Sequence, residues 1–227
     1  MESYLRVGVG TVECDNVYCS APGDARRDLD SVSNLSQLSG KELERIARNI
    51  NPGGWAIESD KPIATLLGSC VAVCLFDPQL KLGGMNHFLL PSRTTASHSD
   101  TDATLSGDFA MEVLVNGLLN KGVNKNRLVA KAFGGGTIVS LTGMAIGARN
   151  AEFAQEWLDR EGIPLIASDF SGPWSRKVVF LPENGDAFCR RRPTTQADAA
   201  EVVKAEMDYE NSLALPKQTK EKRIELF

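Results

Sequence analysis

A thiol stands at Cys70, just after the bend Gly68-Ser69 and at the entrance of the apolar run Val71-Ala72-Val73-Cys74-Leu75-Phe76. The next apolar run, Leu82 to Leu90, carries His87, one of only two histidines in the chain. A free thiol ionises near about pH 8.5, so an imidazole within reach is what turns a cysteine into a nucleophile near neutrality. The Gly-Ser bend lets the backbone turn tightly and aim amide N–H groups at the oxyanion that forms when a thiolate attacks a carbonyl. The imidazole would then protonate a leaving amine and activate water against the thioester. The same two residues also fit a packed thiol beside a core histidine.

Hairpin parity decides whether the two side chains can meet. Residues 71–76 are apolar on both faces, the pattern of a strand buried on two sides. Asp77-Pro78-Gln79-Leu80-Lys81 supplies turn chemistry before the chain returns. Directly paired hairpin residues keep a constant index sum. A loop of Pro78-Gln79 therefore sets Cys70 opposite His87, whereas a loop of Pro78 to Lys81 sets Ala72 there and leaves Cys70 diagonal. Both keep the side chains on one face, with Cβ atoms roughly 5 to 8 Å apart. An odd loop or a bulge sends them to opposite faces.

Other elements must hold this hairpin. Val7 to Val12 suits a short strand, and the rest of residues 1–38 suits a mobile arm. Ser39-Gly40-Lys41-Glu42 matches a capping box before a helix with Leu43, Ile46 and Ile50 on one face, stopped by Asn51-Pro52-Gly53-Gly54. Strands are expected at 55–57, 62–67, 128–133 and 165–168, with a hairpin of 177–181 and 186–189 around Asn184-Gly185. Residues 92–106 suit a surface loop, and a helix is expected from Asp108 through Met111, Leu114, Val115, Leu118 and Leu119. Asn150 can cap a further helix carrying Phe153, Trp157 and Leu158. Residues 194–209 are helix-competent. Strands outnumber helices and mostly adjoin in hairpins, which favours an α+β layered domain.

With 42% hydrophobic and 24% charged residues in 227, the chain has the composition of a globular protein with a sizeable core. A net charge of −4 gives no reason to expect nucleic acid. No run approaches the roughly 20 apolar residues of a membrane span, and the amino terminus lacks a secretory pattern, so the expected location is cytoplasmic. Five scattered cysteines, with no C-x-x-C pair, fit neither a disulfide framework nor a zinc site. No metal or cofactor is expected. Cys74 and Cys189 fit buried packing.

Gly134-Gly135-Gly136-Thr137 lacks both the P-loop ending and the dinucleotide spacing, so a backbone bend lining the cleft fits better than phosphate binding. Arg190-Arg191-Arg192 with Arg176 and Lys177 suits a solvated strand end or a patch for an acidic protein partner. His98 lies in a polar stretch and fits an exposed side chain.

The runs from Thr65 to Leu75 and from Gly84 to Pro91 resemble the CheD family of chemoreceptor glutamine deamidases. So do Ala130-Lys131-Ala132-Phe133-Gly134-Gly135, Ile146-Gly147-Ala148-Arg149-Asn150 and the terminal Ile224-Glu225-Leu226-Phe227. The resemblance implies an amide hydrolase, a protein-glutamine glutaminase, that converts receptor glutamines to glutamate through a cysteine thioester. It implies Cys70 as nucleophile and His87 as general acid and base. The family's threonine, six residues before its cysteine, falls on Ala64 here; Thr65, one residue on, is the threonine available to orient His87, and a one-residue shift in a strand changes face. The implied fold is a layered sandwich of packed β-sheets flanked by helices, similar to the catalytic domain of cytotoxic necrotizing factor toxins.

The implied partners are chemoreceptor cytoplasmic domains and a CheC-type phosphatase. The implied organisation is an amino-terminal extension at 1–44, a catalytic domain at 45–195 and a helical tail at 196–227. Where relatives tend to read Asp-x-Gly-Gly-x-x-Gly-Arg, this chain has Asp169-Phe170-Ser171-Gly172-Pro173-Trp174-Ser175-Arg176, which places serines at two glycine positions. A thiol hydrolase acting on receptor methyl esters or on another protein, and a non-catalytic chemotaxis adaptor, are the alternatives.

Overall fold

The computed structural model describes residues 4–7, 35–90, 100–137, 146–193, 204–206 and 208–209. Among these residues, ten strands form two five-stranded sheets. In spatial order the first holds β1 (Leu5–Val7), β10 (Ala187–Pro193), β9 (Trp174–Phe180), β4 (Ile63–Leu67) and β2 (Arg48–Asn49). The second holds β3 (Trp55–Glu58), β6 (Leu82–Asn86), β5 (Val71–Asp77), β7 (Val129–Gly134) and β8 (Leu165–Phe170). Three α-helices complete the fold: α1 (Gly40–Ile46), α2 (Asp100–Leu119) and α3 (Ile146–Arg160).

Alternation along the strands builds three apolar layers. Ala72, Cys74 and Phe76 of β5 face Ile63, Leu67, Val178 and Phe180 of the other sheet. Val71, Val73 and Leu75 face outward, under Met111, Leu114 and Leu118 of α2 and Trp157 and Leu158 of α3. On the far side, Ala64, Val179 and Phe188 pack with Leu43 of α1. The result is a mixed α+β sandwich of two packed sheets with helices on both outer faces, and β5 is buried on both sides as its composition requires.

The hairpin takes the longer loop. Asp77 pairs with Leu82 and Cys74 with Met85, leaving Pro78 to Lys81 as four loop residues. Asp77 sets that length: its carboxylate accepts from the amides of Gln79 at 2.9 Å and Leu80 at 3.3 Å. Arg127 donates to the same carboxylate from Nε at 3.1 Å and from the terminal nitrogen at 2.6 Å. The Arg127 hydrogen bonds hold the Asp77 carboxyl below the ordinary carboxylate range against the effect of burial.

Several local expectations change. The capping box of Ser39 and Glu42 is formed, but α1 ends at Ile46, which is exposed. Residues 48–50 are drawn instead into parallel pairing with β4, where the Ile50 amide donates to the Ala64 carbonyl at 2.9 Å. The helix expected from Asp108 begins at Asp100, inside the stretch expected to be a loop. Asn150 lies inside α3, not at its cap. Most of the strand expected at 7–12, the stretch 91–99 with His98, and most of the tail including 224–227 lie outside the described residues.

Asp77→Ala removes the turn bonds and leaves Arg127 without its carboxylate. Urea unfolding should show a loss of about 2–3 kcal/mol; a loss below about 0.5 kcal/mol, the range of inert surface changes, would show that the turn is set elsewhere.

Candidate active site

Residues 68–70 carry the chain from β4 in one sheet to β5 in the other. All three carbonyls of this crossing are held by donors from elsewhere. Gly136 N–H donates to the Gly68 carbonyl at 2.8 Å, and Gly135 N–H to the Cys70 carbonyl at 2.8 Å. The Asn150 side chain donates from Nδ2 to the Ser69 carbonyl at 2.8 Å, while its Oδ1 accepts from the Leu90 amide at 3.0 Å. The N–H groups of Gly68 and Cys70 converge on one point, and the grip on the Ser69 carbonyl fixes the plane that carries the Cys70 N–H.

The glycine triplet makes this clasp possible. A Cβ on Gly134, at φ +121°, would lie 2.1 Å from the Cys70 carbonyl oxygen, so no side chain fits there. Behind it the Ser171 amide donates to the Gly134 carbonyl, and Ser171 itself takes a left-handed φ of 63°, a region that favours glycine. Fully buried Arg176 holds that turn, donating to the carbonyls of Ser171 and Trp174 and to Asp169. Burial raises the Asp169 carboxyl, but hydrogen bonds from Arg191 and Arg176 together bring it below its ordinary value.

The basic cluster is thus divided. Arg176 is interior, Arg191 pairs with Asp169, and Arg190 and Lys177 both face Glu44. Burial pushes the thiols of Cys74 and Cys189 far up, which suits packing and not reactivity.

His87 follows β6 on a backbone braced by Gly53 N–H to its carbonyl at 2.8 Å and by its own N–H to the Gly54 carbonyl at 2.9 Å. Val71 and Phe88 exchange both backbone hydrogen bonds, so the index sum 71 + 88 = 159 continues that of β5 and β6. Ala72 is then opposite His87 and Cys70 is diagonal on the same face, with Cβ atoms roughly 7 Å apart. Asn86 fills the gap in the ladder: its Oδ1 accepts from the Val73 amide at 2.9 Å, and its Nδ2 donates to the Ala110 carbonyl of α2 at 3.0 Å.

Thr65 points into the space between the sheets, between Ile63 and Leu67, whereas Ala64 faces α1. Its hydroxyl donates to the Ile50 carbonyl at 2.8 Å and lies 2.7 Å from His87 Nδ1. A threonine hydroxyl has one hydrogen, and the Ile50 carbonyl takes it, so Nδ1 must be the donor to Thr65. That fixes the tautomer with the proton on Nδ1 and the lone pair on Nε2, a buried atom with no hydrogen-bond partner among the described residues. The one-residue shift from Ala64 to Thr65 therefore brings the threonine to the histidine.

Cys70 is 0% and His87 1% exposed. Burial drives the His87 pKa down to about 3, so the imidazole is neutral at physiological pH. One further group lies at the crossing. The carboxylate of Glu206, itself buried, accepts from Cys70 N–H at 3.0 Å, Gly68 N–H at 3.1 Å and the Ser69 hydroxyl at 2.6 Å. Thr65 touches His87, and Cys70 lies diagonal to His87 on the same face, while Asn150, Asn86 and Glu206 brace the surrounding backbone without any local sequence signal beyond the motifs that contain the two asparagines.

A family model described as CheD chemotactic sensory transduction matches residues 89–191. A protein of Dechloromonas aromatica named probable chemoreceptor glutamine deamidase CheD 2 is 60% identical over 194 residues, covering 85% of this chain and 98% of that protein. One of the same name from Burkholderia thailandensis is 45% identical over 176 residues, covering 77% and 90%. The chain belongs to the CheD family. Among solved structures, the hypothetical protein YfiH of Bacillus licheniformis aligns at a TM-score of 0.33 with 14% identity over 60% of this chain and 59% of that one, too weak a likeness to bear on fold or function.

His87 yields a pH signature. The unfolded chain protonates it near about pH 6.5, the folded chain only near 3. Between these values the unfolded state binds more protons, so stability falls as pH drops, by up to about 1.4 kcal/mol per unit. Urea unfolding of the native chain should weaken steadily from pH 6.5 to 4.5, before carboxylates titrate, and His87→Gln should flatten that slope. Equal slopes in the two proteins would contradict a buried neutral His87.

Proposed function

We propose that this protein hydrolyses the side-chain amides of selected glutamines in the cytoplasmic domains of chemoreceptors, giving glutamate and ammonia. The names of its relatives supply the reaction. The observation that carries the mechanism is the Thr65 hydroxyl on His87 Nδ1, which leaves Nε2 as a base on the face that Cys70 shares.

The steps follow from those atoms. The Cys70 thiol gives its proton to His87 Nε2, and Sγ attacks the glutamine Cδ. The oxyanion is held by the N–H groups of Gly68 and Cys70, whose direction was fixed before substrate arrived. His87 returns the proton to the leaving nitrogen, and ammonia departs from a thioester. Water, deprotonated by the same nitrogen, then opens the thioester to the glutamate carboxylate and the free thiol. Thr65 is the positioning residue: it holds the ring in one tautomer through both proton transfers.

Among the described residues no helix is long and apolar enough to cross a membrane, and the reading places the enzyme in the cytoplasm beside the receptor signalling domains. The resemblance alone supports a CheC-type phosphatase as a second partner. The packed sheets with Cys70 at their crossing support a fold like that of the cytotoxic necrotizing factor catalytic domain.

Cys70→Ala should abolish conversion of receptor glutamine to glutamate, read by peptide mass, in a protein that still unfolds cooperatively. Thr65→Val should lower kcat about a hundredfold, the size of a general-base contribution, and Thr65→Ser should restore most of it. Undiminished turnover in Cys70→Ala would refute the mechanism, and release of methanol from receptor methyl esters without ammonia would assign an esterase instead.

A further inference from the structure

The thiol at the centre of this site is inaccessible as the chain stands. Cys70 is 0% and His87 1% exposed, and no side chain of another protein can reach either in this state. Part of the cover comes from the carboxy-terminal region, where residues 204–206 and 208–209 are helical. Tyr209 packs against the apolar cluster that contains Cys70. Its ring lies on Gly53, where an added Cβ would come within 2.3 Å of the ring carbon Cε2, so the backbone that braces His87 is also the shelf for this tyrosine.

Glu206, three residues before Tyr209, makes the decisive contacts. One carboxylate oxygen takes both convergent amides, from Cys70 at 3.0 Å and Gly68 at 3.1 Å; the other takes the Ser69 hydroxyl at 2.6 Å. Hydrogen bonds to an ionised carboxylate are about twice as strong as neutral ones. Glutamate is also the product of glutamine deamidation, atom for atom in its side chain. A carboxylate held by the amide of the nucleophile's own residue is where a newly formed product carboxylate would rest.

We propose that Glu206 is an internal, product-like ligand of the active site: the seat formed by Gly68 N–H, Cys70 N–H and the Ser69 hydroxyl is the receptor glutamate's seat, and the tail leaves it before a receptor segment enters. The ligand class is a glutamyl side chain carried on a helical turn. This deepens the deamidase reading and rests on it, although shielding of Cys70 by the tail does not. Substrate binding then competes with an intramolecular ligand, so the tail raises the apparent KM by the ratio of docked to free tail.

The proposal makes a chemical prediction about Glu206→Gln. An amide placed in that seat is a substrate: Cys70 Sγ attacks Cδ of the new side chain, ammonia leaves with the proton returned by His87, and water restores glutamate and the thiol.

The test uses the full chain. Iodoacetamide labelling of Cys70 at neutral pH, followed by peptide mass, should be about ten- to a hundredfold faster in Glu206→Ala than in the native protein, as expected for losing charge-assisted hydrogen bonds. Tyr209→Ala should accelerate it as well, which guards against a folding defect peculiar to one variant. Peptide mass of purified Glu206→Gln should show glutamate at position 206, and glutamine there when combined with Cys70→Ala.

Labelling rates equal to native in both Glu206→Ala and Tyr209→Ala overturn the proposal even if receptor deamidation proceeds. If the Glu206→Gln protein converts receptor glutamine while its own introduced side chain stays an amide, the shared seat is overturned. Accelerated labelling with no receptor deamidation by any variant supports the tail as cover and defeats the deamidase reading instead.

Discussion

Everything at this site depends on three successive carbonyls being unable to move. Gly68, Ser69 and Cys70 cross from one sheet to the other, and each carbonyl is gripped from a different place: Gly136, the Asn150 side chain and Gly135. An amide plane has two ends, so fixing the Ser69 carbonyl fixes the Cys70 N–H at the other end of the same plane. That N–H and the Gly68 N–H point at one spot beside the cysteine, an arrangement suited to stabilising negative charge without reorganising. The grip has its own requirement, since only a residue without Cβ can sit at Gly134 against the Cys70 carbonyl. Interior Arg176, with Asp169 and the Ser171 turn, holds that glycine in place from behind.

The second requirement is that His87 arrive on the same face as Cys70. Parity delivers this, and Asp77 controls parity. Its carboxylate organises the four-residue loop and so sets the index sum that carries through to Val71 and Phe88. Thr65 then reaches His87 from the opposite sheet, so the imidazole is bound by one sheet and oriented by the other. The packing between the sheets excludes water, keeps the ring neutral and makes each remaining polar contact stronger than it would be at the surface.

The sequence was most legible where one element decides its own structure. The run 71–76, the hydrophobic face of α2 and the capping box at Ser39 were all readable because periodicity and caps are local properties. The even loop was readable as a choice between two lengths, and Asp77 made the choice through hydrogen bonds to Gln79 and Leu80. Less was readable where a side chain serves a distant backbone. Asn150 looks like a helix cap in one dimension, yet it bonds Ser69 and Leu90 from inside α3. The early end of α1 followed from the pairing of residues 48–49 with β4, which nothing local to those residues announces. Glu206 sits in an ordinary helix-competent tail, and only the folded chain brings it to Cys70. The place of Thr65 was the reverse case: counting residues from the family's motif put it one position out of line, and the strand's alternation turned it inward to His87.

The central claim is that glutamine is hydrolysed through a covalent bond to Cys70, and that intermediate can be sought directly. Enzyme mixed with a receptor cytoplasmic domain and quenched in acid within one turnover should carry the receptor segment on Cys70 as a thioester, with ammonia lost and the adduct cleaved by hydroxylamine. Receptor glutamate accumulating through many turnovers with no adduct on Cys70 at any quench time, and with Cys70 already modified by an alkylating reagent, would contradict it.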